Sequence, residues 1–232
     1  MTEIEFRSDM HVELIDAMGG DHSVVRAARV SSGTEAGDPQ RDKGLINFLA
    51  RDRHGSPFEA MVFQFKISVP IFVAREWFRH RIGSFNEVSG RYKVMDPVFY
   101  VPGPERPLKQ IGTPGAYTFE PGTQQQTDTT AMCHKNMAMA AWNFYQHMLG
   151  EGVARETARN VLPASLYTSF YWTVNGRALM NFLSLRWNHP NSTVPTFPLH
   201  EIEQAAMKVE EQAKAVAPEA FAAFDKHGRV SP

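Results

Sequence analysis

The spacing of apolar residues predicts β-strands at three places in the chain. Apolar and polar residues alternate in part over 11–18 and most regularly over 58–69, where every second position from Phe63 to Val69 is apolar. A period of two is typical of a strand that buries one face. Residues 165–175 combine aromatic with β-branched side chains, which favours a third strand.

Helical patterns fill much of the sequence between these strands. Asp21 follows two glycines and is expected to cap a helix that ends near Arg29. Ser84 and Glu87 have the spacing of a capping box, which predicts a short helix beginning at Ser84. The other predicted helices span 40–53, 71–80, 176–187 and 200–216, and one more ends near Leu149.

The pattern also predicts which side chains face the core and where loops lie. On the second helix Leu45, Phe48 and Leu49 share one face. Residues 102–122 contain five prolines and four glycines, and 188–198 contain three prolines, so both are predicted as loops. The side chains expected to face inward from the helix that ends near Leu149 are Met132, Met137, Met139, Trp142 and Tyr145.

Composition and charge exclude several classes of protein. The 232 residues, 43 % of them apolar, suffice for a sizeable core in one domain or two small ones, and mixed helices with few strands favour an α+β fold. A net charge of −1 lacks the basic excess of general nucleic-acid or membrane-surface binders. The single cysteine, Cys133, excludes a disulfide scaffold. An acidic, polar N-terminus and the lack of a ~20-residue apolar stretch predict a cytoplasmic protein outside the membrane.

The common sequence motifs for nucleotides, nucleophiles and metals are missing. The chain contains no G-x-x-x-x-G-K-[ST], no G-x-G-x-x-G and no G-x-S-x-G. His200 and Glu201 begin a zinc-protease-like motif, but its second histidine is missing. No metal site is therefore expected.

Side chains suited to chemistry concentrate between Arg79 and Arg91, in the sequence RHRIGSFNEVSGR. Arginine offers a fixed fork of donors that suits phosphate, and the two glycines let the backbone approach a ligand closely. Arg75 stands four residues before Arg79, where like charges on one helix face repel unless an anion neutralises them. The segment indicates a local phosphate site, or else a solvated basic turn balanced by Glu76 and Glu87.

Two further arginines lie within apolar sequence. Arg159 stands in ETARNVLP, and Arg186 ends the largely apolar segment GRALMNFLSLR. A charge among apolar side chains usually has a partner, which favours an anion near each arginine. A helix-terminal arginine that interacts with the helix dipole is the alternative for both.

These segments resemble the flavin-dependent thymidylate synthase family. The signature of that family is RHR, then seven residues, then serine, and here it spans Arg79 to Ser89. Five segments resemble the family and follow one another in the same order as in the family, over roughly 11–210. They are VRAARVSS, HGSPFEAMVFQFKISVPIFVAREWFRHRIGSFNEVSGRY, ARNVLP, LYTSFYWTVNGRALMNFLSLR and EIEQAA. An ordered match of several segments is far more specific than one motif.

The resemblance implies an activity, a set of cofactors and an assembly. The family forms dTMP from dUMP, with 5,10-methylene-tetrahydrofolate as one-carbon donor, FAD as hydride carrier and NADPH as reductant. The implied fold is a compact single α+β domain over 1–232, with loop insertions at 102–130 and 188–198 and a mixed central sheet surrounded by helices. The implied assembly is a homotetramer with shared active sites, without nucleic-acid or membrane partners.

The family's site residues are carried over wherever its motifs match this chain. By resemblance Arg186 stabilises negative charge on the uracil ring, and Ser89 is a nucleophile or, as we favour, a binding residue. The residues expected to contact FAD are Ser31, Ser56, Arg79, His80, Arg81, Ile82, Glu87, Asn175, Arg177 and Asn181. The residues expected at the substrates are Glu76, Arg79, Glu87, Val88, Ser89, Gly90, Arg91, Arg159 and Arg186 for dUMP, and His54 and Tyr92 for the folate. Without a role at the folate, His54 would be a surface histidine and Tyr92 a core tyrosine.

Two departures from the family pattern keep other functions open. Glu76 replaces a glutamine that is common in the family, and an unpaired carboxylate would repel a nearby phosphate. Pro198-Leu199-His200 stands where many members of the family carry Ala-Gln before the late E-I, and an extra loop over 188–198 precedes it. The alternative functions are a flavin reductase that oxidises NADPH without methyl transfer, and a basic-patch protein that binds nucleic acid.

Overall fold

The structure is a computed structural model that describes residues 3–33, 37–113 and 116–232. The strands are β1 (Glu5–Arg7), β2 (His11–Met18), β3 (Val62–Pro70), β4 (Ser84–Glu87), β5 (Val98–Tyr100), β6 (Lys109–Thr113), β7 (Ala116–Glu120) and β8 (Tyr167–Asn175). The helices are α1 (Asp21–Arg29), α2 (Pro39–Arg51), α3 (Ile71–Trp77), α4 (Gln124–Gly150), α5 (Arg155–Ala158), α6 (Gly176–Arg186), α7 (His200–Val216) and α8 (Pro218–Lys226). Short 3-10 turns span Ser56–Ala60 and Arg159–Val161. This mixture confirms the predicted α+β class.

The chain divides into two compact units, and each is assembled from separate segments. The first unit comprises Met1–Met10, Ser68–Glu76 and Glu87–Ser169. The second unit comprises His11–Ile67, Trp77–Asn86 and Phe170–Pro232. The single domain expected over 1–232 therefore stays a prediction.

The first unit packs its core against the long helix α4. Strands β1 and β5 pair in parallel, with Glu5 opposite Val98. Phe99 of β5 packs with Trp142 and Tyr145 of α4, and all three side chains are buried. This confirms the inward orientation predicted for the two α4 aromatics.

Three methionines predicted to face inward from α4 are exposed in the single chain. Met132, Met137 and Met139 are 55 %, 63 % and 39 % exposed. The buried positions of α4 are Ala138, Ala141, Trp142 and Tyr145, which follow the i, i+3, i+4, i+7 spacing of one helix face. The inward prediction for the methionines is wrong because they lie off that face.

The second unit holds most of a four-stranded sheet with the strand order β2-β3-β8-β4. Phe63 and Phe65 of β3 are fully buried and alternate with more exposed polar residues, so the predicted period of two is confirmed. Helix α7 packs on the edge strand β2. The Gln212 side chain fixes this contact, because it donates to the Val12 carbonyl at 3.0 Å and accepts from the Leu14 amide at 2.5 Å.

Asp21 caps a different helix from the one predicted. It is the first residue of α1, whose N-cap is Gly20 without a side-chain hydrogen bond. Its carboxylate instead accepts from the amides of Glu219 and Ala220, at 2.9 and 2.8 Å, in the first turn of α8. The orphan amides of that turn lack a capping side chain of their own, so a residue distant in sequence supplies it.

Residues 84–87 form strand β4, so the short helix predicted from Ser84 is wrong. In the second unit Phe85 packs edge-on against Phe78, with ring centroids 4.9 Å apart. In the first unit the Glu87 carboxylate accepts from the Thr168 hydroxyl at 2.6 Å instead of reaching back to a helix start. Tertiary contacts thus outweigh the local capping signal.

Residues 102–122, predicted as an irregular surface loop, contain a β-hairpin. Strands β6 and β7 pair antiparallel, with Lys109 opposite Glu120 and Thr113 opposite Ala116. All residues of β6 are exposed, so the surface location is confirmed and the irregular structure is wrong. The prolines of this segment that the structure describes lie outside both strands and therefore interrupt no ladder hydrogen bond. The second predicted loop, 188–198, contains neither helix nor strand.

Two kinds of feature are missing from the described part of the chain. No helix there combines the length and the apolar character that crossing a membrane requires. Across 3–33, 37–113 and 116–232, no three histidine, cysteine, aspartate or glutamate side chains converge as metal ligands do.

Candidate active site

The RHR segment leaves the helix that precedes it. Helix α3 ends at the fully buried Trp77, and the amide of His80 donates to the Trp77 carbonyl at 3.0 Å in a tight turn. Arg79 therefore lies outside the helix that carries Arg75. The shared helix face expected for these two arginines is wrong.

A cavity of about 460 Å³ in the second unit joins the RHR segment to the end of α6. Three arginines, a histidine and an asparagine supply its polar wall, and three aliphatic side chains supply the rest. The lining residues are Arg79, His80, Arg81, Ile82, Ala178, Asn181, Leu185 and Arg186. All but Ala178 and Leu185 were predicted as site residues from the sequence, so the structure brings most of that set together.

Arg186 and His80 form a hydrogen-bonded pair at this cavity. The Arg186 Nε donates to the His80 Nε2 at 3.0 Å. The His80 ring packs edge-on against Phe182, with centroids 4.9 Å apart. Phe182 in turn contacts Trp77 and Trp172, at centroid distances of 4.7 and 5.1 Å. The pair thus rests on a buried aromatic cluster that limits its movement.

The His80 imidazole is neutral at pH 7. Burial lowers the pKa of His80 from 6.5 to about 4, and the positive charge of Arg186 adds to the decrease. Because Nε2 accepts the hydrogen bond from Arg186, the single proton of the neutral ring is assigned to Nδ1. A neutral His80 orients the Arg186 guanidinium without cancelling its charge.

We expect His80 to lower the stability of the fold as the pH falls from 6.5 towards 4. In that window the unfolded chain binds a proton at His80 and the folded chain does not, so acid favours unfolding. His80→Gln keeps an acceptor for Arg186 but does not titrate. Its urea midpoint should therefore fall less than that of the wild type between pH 7 and pH 5. Curves for His80→Gln that run parallel to those of the wild type would contradict the neutral, buried ring.

A second cavity, of about 370 Å³, continues this site along α6. It shares Ile82, Ala178 and Asn181 with the first cavity. Its other lining residues are Glu59, Asn175, Arg177, Ser231 and Pro232. The two cavities form one groove, called the α6 groove here, that extends along the helix from its first turn to Arg186.

Two predicted FAD contacts at the start of α6 already have protein partners. Arg177 donates from Nη1 to Glu59 and from Nε to the Pro232 carbonyl, both at 2.9 Å. Asn175 is the N-cap of α6, and its side-chain oxygen accepts from the Ala178 amide at 2.8 Å. The amide nitrogen of Asn175 is the part of that side chain that a ligand can still use as a donor.

Three more predicted residues line a wider cavity, of about 1040 Å³, at α1 and α2 in the second unit. Ser31, His54 and Ser56 come together there. His54 is exposed and packs edge-on against Phe48, with centroids 5.4 Å apart. Phe48 is itself 39 % exposed and lines this cavity together with Leu45 and Leu49, so the shared helix face predicted for these three residues is confirmed.

The remaining predicted residues belong to the first unit, mostly in the loop after β4. The Ser89 carbonyl accepts from the amides of Tyr92 and Lys93, at 3.0 and 3.3 Å, and the Ser89 hydroxyl accepts from the Arg91 amide at 3.3 Å. In the described part of the chain, no histidine or carboxylate hydrogen bonds to this hydroxyl. Ser89 therefore lacks the base that would activate a serine nucleophile.

Gly90 brings this loop against Arg159. A Cβ at residue 90 would lie 3.1 Å from the Arg159 Cδ and 3.0 Å from the Met95 Sδ, closer than ordinary contacts. Only glycine fits without displacing the arginine. The neighbouring Val88 amide donates to the Ser169 carbonyl at 2.9 Å, which anchors the start of the loop.

Arg91 and Tyr92 lie at the surface of the same loop. The Arg91 Nε pairs with the Glu156 carboxylate at 3.0 Å, and both side chains are more than half exposed. An exposed pair of this kind contributes ~0–1 kcal/mol, so a phosphate dianion can replace the carboxylate. Tyr92 is 78 % exposed, so its alternative as a core tyrosine is wrong. Glu76 lies in the last turn of α3, and its place at the phosphate stays a prediction.

The comparisons with known proteins agree on one family. Residues 13–219 match the family model described as thymidylate synthase complementing protein. The chain is 50 % identical to the flavin-dependent thymidylate synthase of Streptomyces avermitilis, over 98 % of this chain and 95 % of that protein. It is 42 % identical to the enzyme of the same name from Thermotoga neapolitana, over 93 % and 91 %. The chain belongs to the flavin-dependent thymidylate synthase family.

Solved structures show the same family fold. Two crystal structures of PolB from Streptomyces cacaoi, described as a UMP/dUMP methylase, are 43 % identical to this chain. The structure with 5-Br UMP superposes with a TM-score of 0.92 and covers 99 % of both chains. The structure with 5-Br dUMP superposes with a TM-score of 0.93 and covers 99 % of this chain and 100 % of PolB.

The α6 groove also contains residues that the family motifs did not indicate. Leu185 stands four residues after Asn181, so helical periodicity alone would have placed it on the same face. Glu59 and Pro232 reach Arg177 from positions far away in the sequence. No local spacing in the sequence signals contacts between positions so far apart.

Proposed function

We propose that this protein methylates dUMP to dTMP. In this proposal 5,10-methylene-tetrahydrofolate supplies the one-carbon unit, FAD carries the hydride and NADPH is the reductant. The observation that supports the proposal most strongly is the cavity that joins the RHR segment to Arg186, in a chain of the flavin-dependent thymidylate synthase family.

The α6 groove suits FAD in its chemistry. Arg79, Arg81 and Arg177 offer charged donors for diphosphate oxygens, and Ile82 and Leu185 offer aliphatic surface for a flat ring. We assign to FAD the residues Ser31, Ser56, Arg79, His80, Arg81, Ile82, Glu87, Asn175, Arg177 and Asn181. When bound, the flavin supplies the hydride chemistry, while the protein binds and orients it.

Arg186 is assigned to the uracil ring of dUMP. Methylation at C5 requires electron density at that carbon, and negative charge then develops on the ring nitrogen and oxygens. A guanidinium fixed beside the ring stabilises this charge best where water is excluded. The hydrogen bond from its Nε to neutral His80 holds the Arg186 plane in one orientation. His80 is therefore a positioning residue for this cation as well as a groove residue.

The loop after β4 is assigned to the dUMP phosphate. Arg159 and Arg91 supply two guanidinium groups for a dianion, and Gly90 allows the backbone to approach it. Arg79, Glu76, Glu87, Val88 and Ser89 complete the dUMP set in this proposal. His54 and Tyr92 are assigned to the folate, because both are exposed and present an aromatic face.

We expect Ser89→Ala to reduce kcat/KM for dUMP by less than about tenfold. The Ser89 hydroxyl makes one hydrogen bond in the described structure, to the Arg91 amide, and losing such a bond costs roughly 0.5–1.5 kcal/mol. Initial rates of dTMP formation against dUMP concentration should show a raised KM and a nearly unchanged kcat. Complete loss of turnover in a folded, flavin-loaded Ser89→Ala enzyme would instead establish the nucleophile role.

We propose a homotetramer with active sites shared between subunits. Met132, Met137 and Phe144 expose apolar surface on α4 of the single chain, which favours burial against another copy. Light scattering should give about 104 kDa, four times the 26.1 kDa of one chain. A mass of one chain at micromolar concentration would contradict this assembly.

We place the enzyme in the cytoplasm, without nucleic-acid or membrane partners. Its single cysteine, Cys133, is an exposed thiol, which fits a reducing compartment. The net charge of −1 offers no general attraction to a polyanion.

UMP is a second candidate substrate because PolB, a UMP/dUMP methylase, shares 43 % of its sequence with this chain. The two nucleotides differ only in the 2′-hydroxyl, so the same site could accept either. Relatives at 50 % identity carry the thymidylate synthase name, which favours dUMP.

Mass spectrometry of the products tests the proposal and its alternatives. The purified enzyme is incubated with FAD, NADPH and methylene-tetrahydrofolate, and with dUMP or UMP in parallel. The proposal expects dTMP from dUMP and a much slower reaction of UMP. Equal methylation of UMP would favour the second candidate, and NADPH oxidation without a methylated product would favour a flavin reductase.

A further inference from the structure

The segment Gly228–Pro232 contacts α6 at both of its ends. The Arg229 guanidinium carbon lies 4.7 Å from the ring centroid of Trp187, the residue after Arg186. At the other end the Ser231 hydroxyl donates to the Arg177 carbonyl at 3.0 Å. The Pro232 carbonyl accepts from the Arg177 Nε at 2.9 Å. One short segment thus meets both the Arg186 end and the first turn of the helix.

Arg229 anchors this segment to the rest of the second unit. Its side chain is fully buried, and its guanidinium carbon lies over two aromatic rings, Trp187 and Phe224, 4.7 Å from each centroid. It forms ion pairs with Glu210 of α7 and Asp225 of α8. A buried guanidinium with two ion pairs and two aromatic rings against it has little freedom to move.

The backbone at this point is held in an unfavourable conformation. Gly228 has φ 78° and Arg229 has φ 55°, so two successive residues are left-handed. A residue with a Cβ adopts that conformation only where surrounding contacts fix it, and such residues cluster at functional sites. The Gly228 carbonyl also accepts from the Thr193 amide and hydroxyl, at 3.0 and 3.1 Å. The segment therefore also secures the loop 188–198, where this chain departs from the family pattern.

Arg186 needs such support because it is the last residue of α6. Helix ends fray, since their last carbonyls lack helical partners. The Trp187 amide still donates to the Leu183 carbonyl at 3.1 Å, so a fixed Trp187 holds the last turn closed. Arg229 fixes Trp187 by stacking on its ring. The direction of the Arg186 side chain thus depends on a residue far along the chain.

We propose that the segment Gly228–Pro232 is a brace that positions α6 for catalysis, with Arg229 and Ser231 as its positioning residues. Through Trp187 the brace sets the direction of Arg186, and through Arg177 it sets the start of the α6 groove. The inference rests on the proposed function of Arg186 and the groove. Neither Arg229 nor Ser231 touches the reacting atoms in this proposal, so neither is a catalytic residue.

Arg229→Lys tests the Arg186 end of the brace. Lysine keeps the charge and one ion pair but loses the planar stacking on Trp187 and the second ion pair. Assays well below the unfolding temperature should show kcat lowered about tenfold or more, since small misplacements of reacting groups have large effects. The FAD dissociation constant should rise as well, because the same segment holds Arg177. If Arg229→Lys does not fold, Trp187→Leu removes the stacked ring instead and should lower kcat similarly.

Ser231→Ala tests the other end, and Ser184→Ala is its matched control. Each change removes one serine hydrogen bond to an α6 carbonyl: Ser231 donates to Arg177 across the fold, and Ser184 donates to Asn181 within the helix at 2.9 Å. Ser231→Ala should raise the FAD dissociation constant roughly threefold, as the loss of one hydrogen bond does. Ser184→Ala should leave it unchanged.

The brace is refuted if Arg229→Lys and Ser231→Ala lower the unfolding temperature but leave kcat and the FAD dissociation constant within about twofold of the wild type. The segment would then only stabilise the fold. If the wild-type protein binds FAD but forms no dTMP, only the proposed function is refuted. The FAD dissociation constants of Arg229→Lys and Ser231→Ala would still test the brace.

Discussion

Arg186→Ala is expected to lower the kcat for dTMP formation by about 10²–10³-fold while the protein still binds FAD. Arg186 is the charged group that the structure holds in place at the cavity, through His80 and the aromatic cluster beneath it. Its removal leaves the negative charge that develops on the uracil ring without a cation. The measurement is kcat at saturating dUMP, together with the flavin content of the purified variant.

Arg186→Lys separates charge from geometry. Lysine keeps the positive charge but has no Nε–H in a planar group, so it loses the fixed orientation set by His80. We expect an activity between those of Arg186→Ala and the wild type. Wild-type turnover by Arg186→Ala would contradict the role of this residue in the reaction.

Arg159→Ala is expected to raise the KM for dUMP by about 10–100-fold with a smaller change in kcat. A charged hydrogen bond contributes roughly 1.5–3 kcal/mol, and about 1.4 kcal/mol corresponds to a factor of ten. The phosphate is remote from the reacting carbon. Loss of its contact with Arg159 therefore weakens binding of the ground state and of the transition state alike. Initial rates over a range of dUMP concentrations measure both constants.

Arg106→Ala is the matched control for Arg159→Ala. It removes an arginine of the same unit from the 102–130 segment, outside the loop assigned to the phosphate. Its KM should equal that of the wild type. A KM for Arg159→Ala that also equals the wild-type value would remove Arg159 from the phosphate site.

The regular parts of the fold could be predicted from the sequence because their signals are local. Strand β3 alternates with a period of two, and helices α6 and α7 lie close to the predicted bounds. Strands β1 and β5 have three residues each, too few for a period to be seen, and neither was predicted. Helix α8 was also missed, since its first turn is capped from Asp21, which is distant in the sequence.

Errors occurred where tertiary contacts overrode a local pattern. The capping-box spacing at Ser84 predicted a helix, but packing of Phe85 and the bond from Thr168 to Glu87 accompany a strand instead. The methionines of α4 are apolar but lie off its buried face. In both cases the residue types are compatible with either outcome, helix or strand for 84–87 and buried or exposed for the methionines. Contacts with other segments determine which one is observed.

In the candidate site, too, local motifs could be predicted from the sequence, whereas contacts between distant residues could not. The RHR motif and the end of α6 could be identified by resemblance, and the structure brings them to one cavity. The proton state of His80 could not be predicted, because it depends on burial and on Arg186. The contacts of Arg177 with Glu59 and Pro232 also join distant positions, so no sequence spacing reveals them.

Release of tritium from dUMP labelled at C5 tests the central claim most directly, because methylation must displace the hydrogen on that carbon. The enzyme is assayed with FAD, NADPH and methylene-tetrahydrofolate, and then with each omitted in turn. We predict that release requires all three and equals the dTMP formed. NADPH consumption without tritium release would contradict methyl transfer and leave a flavin reductase as the function.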